Sequence, residues 1–193
     1  MKSLIVMVAL ASTAAVALPA AAQEADKTGA YVNLGYTHSS NGDGDTGSIS
    51  GKGGWRFHRY FGAEVEGAFG ISGDDGTFVP VGGTTPLAFD TKQQYQVAGY
   101  GVGFLPLGEN FDLFARVGYG TARYKVAVQG QPDVGFNQES WNYGGGVQYS
   151  FDGANGVRAE YTRASIQGNG APPNTPWAGS DQDNWSLSYV RQF

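Results

Sequence analysis

His38 and Ser40 stand two residues apart, a spacing that puts both side chains on one face of a β-strand. A serine hydroxyl beside an imidazole base is the beginning of a nucleophilic site, and it needs a carboxylate to orient the imidazole. The nearest acids, Asp43 and Asp45, fall in a Gly-rich stretch read as a flexible loop. Glu64 and Glu66 lie nearer the opposite end of the predicted strands. With Glu160 they also form a set of carboxylates of the kind that does acid–base work on sugars. The run Asn41-Gly-Asp-Gly-Asp-Thr-Gly has acids at calcium-loop spacing. However, Thr46 stands where the loop glycine belongs and Lys52 where the closing Glu belongs, so a solvated turn is expected. Gly99-Tyr-Gly-Val-Gly has dinucleotide-like spacing without a following helix and reads as strand glycine. With two His and no Cys, no metal centre or other cofactor is expected.

The elements that must carry these residues are strands. From Thr28 onward apolar and polar residues alternate one by one in segments of about ten, the period of a strand with one apolar face. Eight segments are predicted: Thr28–His38, Gly47–Phe57, Tyr60–Ile71, Lys92–Leu105, Asn110–Val126, Ser140–Phe151, Gly156–Gln167 and Asn184–Phe193. Short connections at His58-Arg59, Pro106–Glu109 and Asp152–Asn155 alternate with long ones at Ser39–Thr46, Ser72–Thr91, Ala127–Glu139 and Gly168–Asp183. Short turns on one side and long loops on the other suit a barrel in an outer membrane, with both termini periplasmic and the loops extracellular.

Composition agrees. Lys2, the apolar run Leu4–Leu18 and Ala20-Ala21-Ala22 read as a secretory signal over residues 1–22, leaving a single barrel domain over residues 23–193. The net charge of −5, with no basic run, argues against a nucleic-acid partner. An exported chain without Cys has no disulfides, and a closed strand ladder can hold it instead. Mean hydropathy is negative. That does not exclude a barrel, because only alternate residues of its strands face lipid.

Three features say which face points out. The apolar face carries aromatics at both ends: Phe57, Phe61, Phe111, Phe151 and Phe193 near the short turns, and Tyr36, Phe69, Tyr95, Tyr119, Trp141 and Trp185 near the long loops. Phe61 to Phe69 is eight steps, roughly 21 Å of height in a strand tilted by about 40°, close to the band of about 25 Å between aromatic girdles. The polar face is lined by small residues and by the charges Lys52, Arg56, Glu64, Glu66, Arg116, Arg158 and Glu160. Held in a narrow interior these charges must pair, Lys52 opposite Glu66 and Arg56 diagonal to Glu64. Finally, the chain ends on Phe193 with Tyr189 and Leu187 on the same face.

The export signal, Tyr60-Phe-Gly-Ala-Glu-Val-Glu-Gly, Val157-Arg-Ala-Glu-Tyr and the terminal Tyr189-Val-Arg-Gln-Phe resemble the small OmpA/OmpX-like outer-membrane β-barrel family, often labelled the porin family. The resemblance implies an all-β, eight-stranded, antiparallel up-and-down transmembrane barrel with a narrow polar interior, in a Gram-negative outer membrane. It also implies that Phe193 belongs to the signal read by the barrel assembly machinery. Arg191 departs from the pattern, standing where an aromatic or aliphatic residue is usual. His38-x-Ser40-Asn41 is similar to the motif of outer-membrane lipid A 3-O-deacylases, although it lies in the first strand rather than late in the chain, with Lys52 at the expected acid position.

The expectation is a non-catalytic, monomeric barrel in contact with outer-membrane lipid and lipopolysaccharide. It would support envelope integrity or surface contact through acidic loops bearing Asp43, Asp45, Asp74, Asp75, Asp181 and Asp183. A small pore and a deacylase using His38 and Ser40 are the alternatives.

Overall fold

The computed structural model describes residues 27–41, 45–78, 87–128, 133–167 and 181–193. The expected signal segment, residues 1–22, and Asp43 lie outside them. Among the described residues nine strands form: β1 Gly29–Ser40, β2 Asp45–His58, β3 Phe61–Ser72, β4 Asp74–Phe78, β5 Leu87–Pro106, β6 Phe111–Val128, β7 Val134–Ser150, β8 Asn155–Gln167 and β9 Gln182–Gln192. All pairings are antiparallel, in the order β3-β2-β1-β9-β8-β7-β6-β5, and β3 pairs with β5 to close the ring. Eight strands therefore make a closed up-and-down barrel with no free edge along its wall. Among the described residues the short β4 pairs with the start of β5, from Leu87 to Thr91.

The loop-end boundaries differ from those predicted. The interval Ser72–Thr91, read as a loop, contains β4 and the start of β5. Similarly β6 and β7 run on as a hairpin in which Tyr124 faces Phe136 and Val126 faces Val134. A chain leaving the rim must still satisfy its backbone N–H and C=O groups, and continuing the ladder does so. Asp45, read as a loop residue, begins β2 directly opposite Ser40.

The three turns are tight. Gly108 and Gly153 adopt φ of +101° and +80°, a region that favours glycine. The Asp152 carboxylate accepts the amides of Ala154 at 3.0 Å and Asn155 at 2.6 Å, closing the β7–β8 turn.

Strand alternation divides the wall into two faces. Leu34, Val65, Phe69 and Leu187 are each more than three-fifths exposed on the outside, whereas Ser50, Glu64, Arg116 and Arg158 are buried inside. The predicted interior was small and charged, and the structure adds large rings to it. Tyr31, Tyr100, Phe104 and Phe114 point inward and are buried. Tyr31 faces Gly54 across the ladder, Tyr100 faces Gly118 and Phe114 faces Gly146. A Cβ at any of these three glycines would overlap the ring opposite. The inward glycines thus form the floor on which aromatic side chains of the neighbouring strand lie.

Candidate functional site

Each inward arginine lies over one of these rings: Arg158 over Phe114 at 3.6 Å, Arg116 over Tyr100 at 3.8 Å and Arg56 over Phe104 at 4.2 Å. The rings aim the guanidinium groups across the lumen and shield them from water. Arg158 of β8 bonds Glu64 of β3 through both terminal nitrogens, at 2.5 and 3.3 Å. Its Nη2 also pairs with Glu160 at 3.0 Å. Arg116 of β6 reaches Glu66 at 2.6 Å, Glu160 at 2.9 Å and Glu64 at 3.4 Å. Lys52 donates to Glu160 at 2.8 Å, and the Tyr31 hydroxyl donates to Glu64 at 2.6 Å. Three carboxylates and three cations thus meet in one charge-balanced cluster, every member buried.

Lys52 stands opposite Glu66 in the ladder, yet its ammonium pairs with Glu160. Arg56 is diagonal to Glu64 and instead meets Asp112 at 3.4 Å, while also donating to the Arg59 carbonyl. In so small a lumen a long side chain reaches across as easily as along the wall. Asp112 is fully buried and bridges Arg56 to Lys27 at 3.3 Å. It is not among the interior charges expected from the sequence. Its signal was its inward place in the alternation, next to the outward Phe111. Among the described residues no group of three or more His, Asp or Glu is placed to hold a metal ion.

Space inside is scarce. At the turn end a vestibule of about 680 Å³ opens beside Lys27, Arg56, Phe104, Gln148 and Phe193. Above the ion cluster, Glu66, Arg116, Glu160, Thr162 and Ser186 enclose about 10 Å³, room for about one water molecule. Glu64, Arg158 and Phe114 line neither space. Of the three glutamates, Glu66 and Glu160 line the small cavity and Glu64 lines neither space.

His38 and Ser40 lie on the outward face at the loop end, with the buried Ser39 turned inward between them. Glu64 and Glu66 are on the inner face and cannot orient His38. Asp45 is the acid beside it, with 3.6 Å between Nε2 and Oδ1, both side chains exposed. Of the predicted girdle aromatics, Phe57, Phe61, Phe151, Phe193, Tyr36, Phe69, Tyr95, Tyr119, Trp141 and Trp185 are exposed. Phe111 is half-buried beside Tyr149, with ring centroids 6.1 Å apart. Tyr119 and Trp141 meet edge-on at 5.3 Å.

A closed barrel with an apolar outside and a polar inside is the inverse of a soluble β-barrel. A family model described as "Outer membrane protein beta-barrel domain" matches residues 8–193. The chain belongs to that family. Among solved structures it is similar to Ail, the attachment invasion locus protein of Yersinia pestis, crystallised in complex with the heparin analogue sucrose octasulfate. Identity there is 16%, the TM-score is 0.57, and 86% of this chain and 99% of that one are covered. Neisserial surface protein A is 13% identical with a TM-score of 0.57, covering 88% and 100%. The N-terminal β-barrel domain of Pseudomonas aeruginosa OprF is 8% identical with a TM-score of 0.52, covering 84% and 98%. Identities this low establish a shared fold. Comparison with curated proteins returns no match.

Proposed function

We propose that this outer-membrane barrel is non-catalytic and works through its surfaces, supporting envelope integrity or contact at the cell surface. The observation that carries the reading is the Arg158–Glu64 pair, which with Phe114 fills the lumen between the vestibule and the inner cavity. A filled lumen disfavours the pore, and the inward Glu64 and Glu66 disfavour the deacylase. In this reading the termini and short turns are periplasmic and the long loops extracellular. The closed ladder favours a monomer, and Phe193 serves the barrel assembly machinery during biogenesis.

Ail has been crystallised with a polyanion, and the charge of this chain favours a different surface contact. The loop end of this chain carries Asp43, Asp45, Asp74, Asp75, Asp181 and Asp183, several of them in the outer ends of strands, and these acids would repel a sulfated ligand. Divalent cations would bridge these carboxylates to lipopolysaccharide.

Deletion of the gene should raise detergent sensitivity while leaving the lipid A acylation pattern unchanged by mass spectrometry. Purified protein in planar bilayers should give no steady channels. Loss of one 3-hydroxyacyl chain from lipid A that depends on His38 and Ser40 would establish the enzyme, and steady conductance would establish the pore.

A further inference from the structure

The three inward glutamates balance Lys52, Arg116 and Arg158, but the charges at the turn end do not balance. There Arg56 and Lys27 share the buried carboxylate of Asp112, at 3.4 and 3.3 Å. One positive charge is left over at the inner end of the vestibule. Glu109 and Asp152 stand in the turns at its edge, both exposed, and neither pairs with these cations among the described residues. Both oxygens of Asp152 are taken by its own turn. A cation held against buried surface calls for an anion.

Arg56 has an edge free to hold one. Its guanidinium lies over Phe104 at 4.2 Å, which shields one face. Nε and Nη2, along one edge, donate to the Arg59 carbonyl. The other edge, Nη1 with Nη2, has only the long contact from Nη2 to Asp112. Nη1 is buried without an acceptor among the described residues. A buried N–H left unbonded is costly, and this edge has the two-pronged geometry that receives a carboxylate.

Gln148 supplies a second unfilled group. It stands directly opposite Asp112 in the β6–β7 ladder and lines the same vestibule. Like Arg56 it is 3% exposed, and its side-chain amide has no hydrogen-bond partner among the described residues. Lys27 is a third donor, held only by long contacts to the Gly108 carbonyl at 3.4 Å and to Asp112. Tyr31 and Phe104 add ring surface to the lining. The volume of about 680 Å³ is that of a site for a small organic molecule rather than for a few waters.

We propose that the turn-end vestibule binds a small organic monocarboxylate. Arg56 receives the carboxylate on its free edge, the Gln148 amide and the Lys27 ammonium donate to it, and the apolar body lies against Tyr31 and Phe104. A monoanion matches the single surplus charge, whereas a phosphate dianion would leave negative charge in excess beside Asp112. The site stands whichever way the barrel is inserted. With the turns periplasmic, as proposed above, its ligand arrives from the periplasm.

The test is an NMR titration of the purified protein in nonionic micelles, read on the Arg56 guanidinium and Gln148 side-chain signals. Benzoate represents a free acid and N-acetyl-alanyl-alanine a peptide end, each compared with its neutral amide, and inorganic phosphate is a third anion. Saturable shifts are expected with a carboxylate and none with its amide, and the tighter of the two carboxylates tells a free acid from a peptide end. Gln148→Leu should weaken binding about tenfold, the loss of one hydrogen bond to a charged group, and Lys27→Gln about threefold. Arg56→Gln should abolish it, and Arg163→Gln, at the far end of the barrel, should bind as wild type. Heat-dependent gel migration reports which variants are folded. If Arg56→Gln is not, Gln148→Leu and Lys27→Gln carry the prediction. Equal shifts with the amides, tighter binding of phosphate, or unchanged binding by folded Gln148→Leu and Lys27→Gln overturns the site. Absence of a saturable shift with either carboxylate also overturns it and leaves water as the filling of the vestibule. None of these outcomes touches the proposed envelope role.

Discussion

Arg158 and Glu64 join opposite walls of the barrel. Their strands, β8 and β3, lie four places apart in a ring of eight, and the two side chains meet in a forked ion pair at 2.5 and 3.3 Å. Both side chains are sealed from solvent. The bar they form ties the wall together where hydrogen-bonded neighbours cannot, straight across the lumen.

Breaking this bar by removing one partner should be costly, because the other charge is left buried. Glu64→Gln should lower stability by about 3–5 kcal/mol, and Glu64→Leu with Arg158→Met by less. Urea unfolding in micelles, read by gel migration, measures both. A double variant less stable than Glu64→Gln would show that the charges contribute more than their desolvation costs.

The glycine floor makes a second prediction. Gly54→Ala forces the Tyr31 ring off its place and should cost about 1–3 kcal/mol. Gly99→Ala, an outward position with open space around it, should be neutral or stabilise slightly. Equal effects at the two sites would mean that ring packing over glycine contributes nothing.

Val65 and Ala68 test the division between faces. Val65 is 62% exposed on the outside and Ala68 is 3% exposed inside. Near the bilayer midplane Val65→Arg should cost about 2–4 kcal/mol in lipid vesicles, while Ala68→Ser should change little. A neutral Val65→Arg would place that position outside the apolar band.

Acid should loosen the β7–β8 turn. The Asn155 side chain, with the Asn155 and Ala154 amides, holds the Asp152 carboxyl below its ordinary range. Because the folded value is depressed, the turn's stabilisation is present above the unfolded value of about 3.9 and is lost as pH falls through the folded one. An NMR titration of Asp152 should show the depressed midpoint, and Asn155→Ala should raise it. An unchanged midpoint in Asn155→Ala would mean the backbone amides alone hold the carboxylate.

The period-two alternation was enough to read eight wall strands and their two faces, because facing is a local property of a pleated chain. Lys52, Glu64, Arg116 and Arg158 could be put on the inner face by counting in twos. Their partners could not. Lys52 chooses Glu160 over the cross-strand Glu66, and Arg56 chooses Asp112, because closure brings distant strands within reach of a long side chain. The same limit hid the rings inside. Tyr100 and Gly118 are unremarkable apart and become a packed pair only when β5 and β6 are in register. At the rim, His38 and Ser40 share a face as their spacing requires. Closure then puts Glu64 and Glu66 behind the wall and brings Asp45 to His38. The sequence determined which way each side chain points, through the stereochemistry of the strand. Only the tertiary structure decided what it meets, because that depends on ring closure and register between segments far apart in the chain.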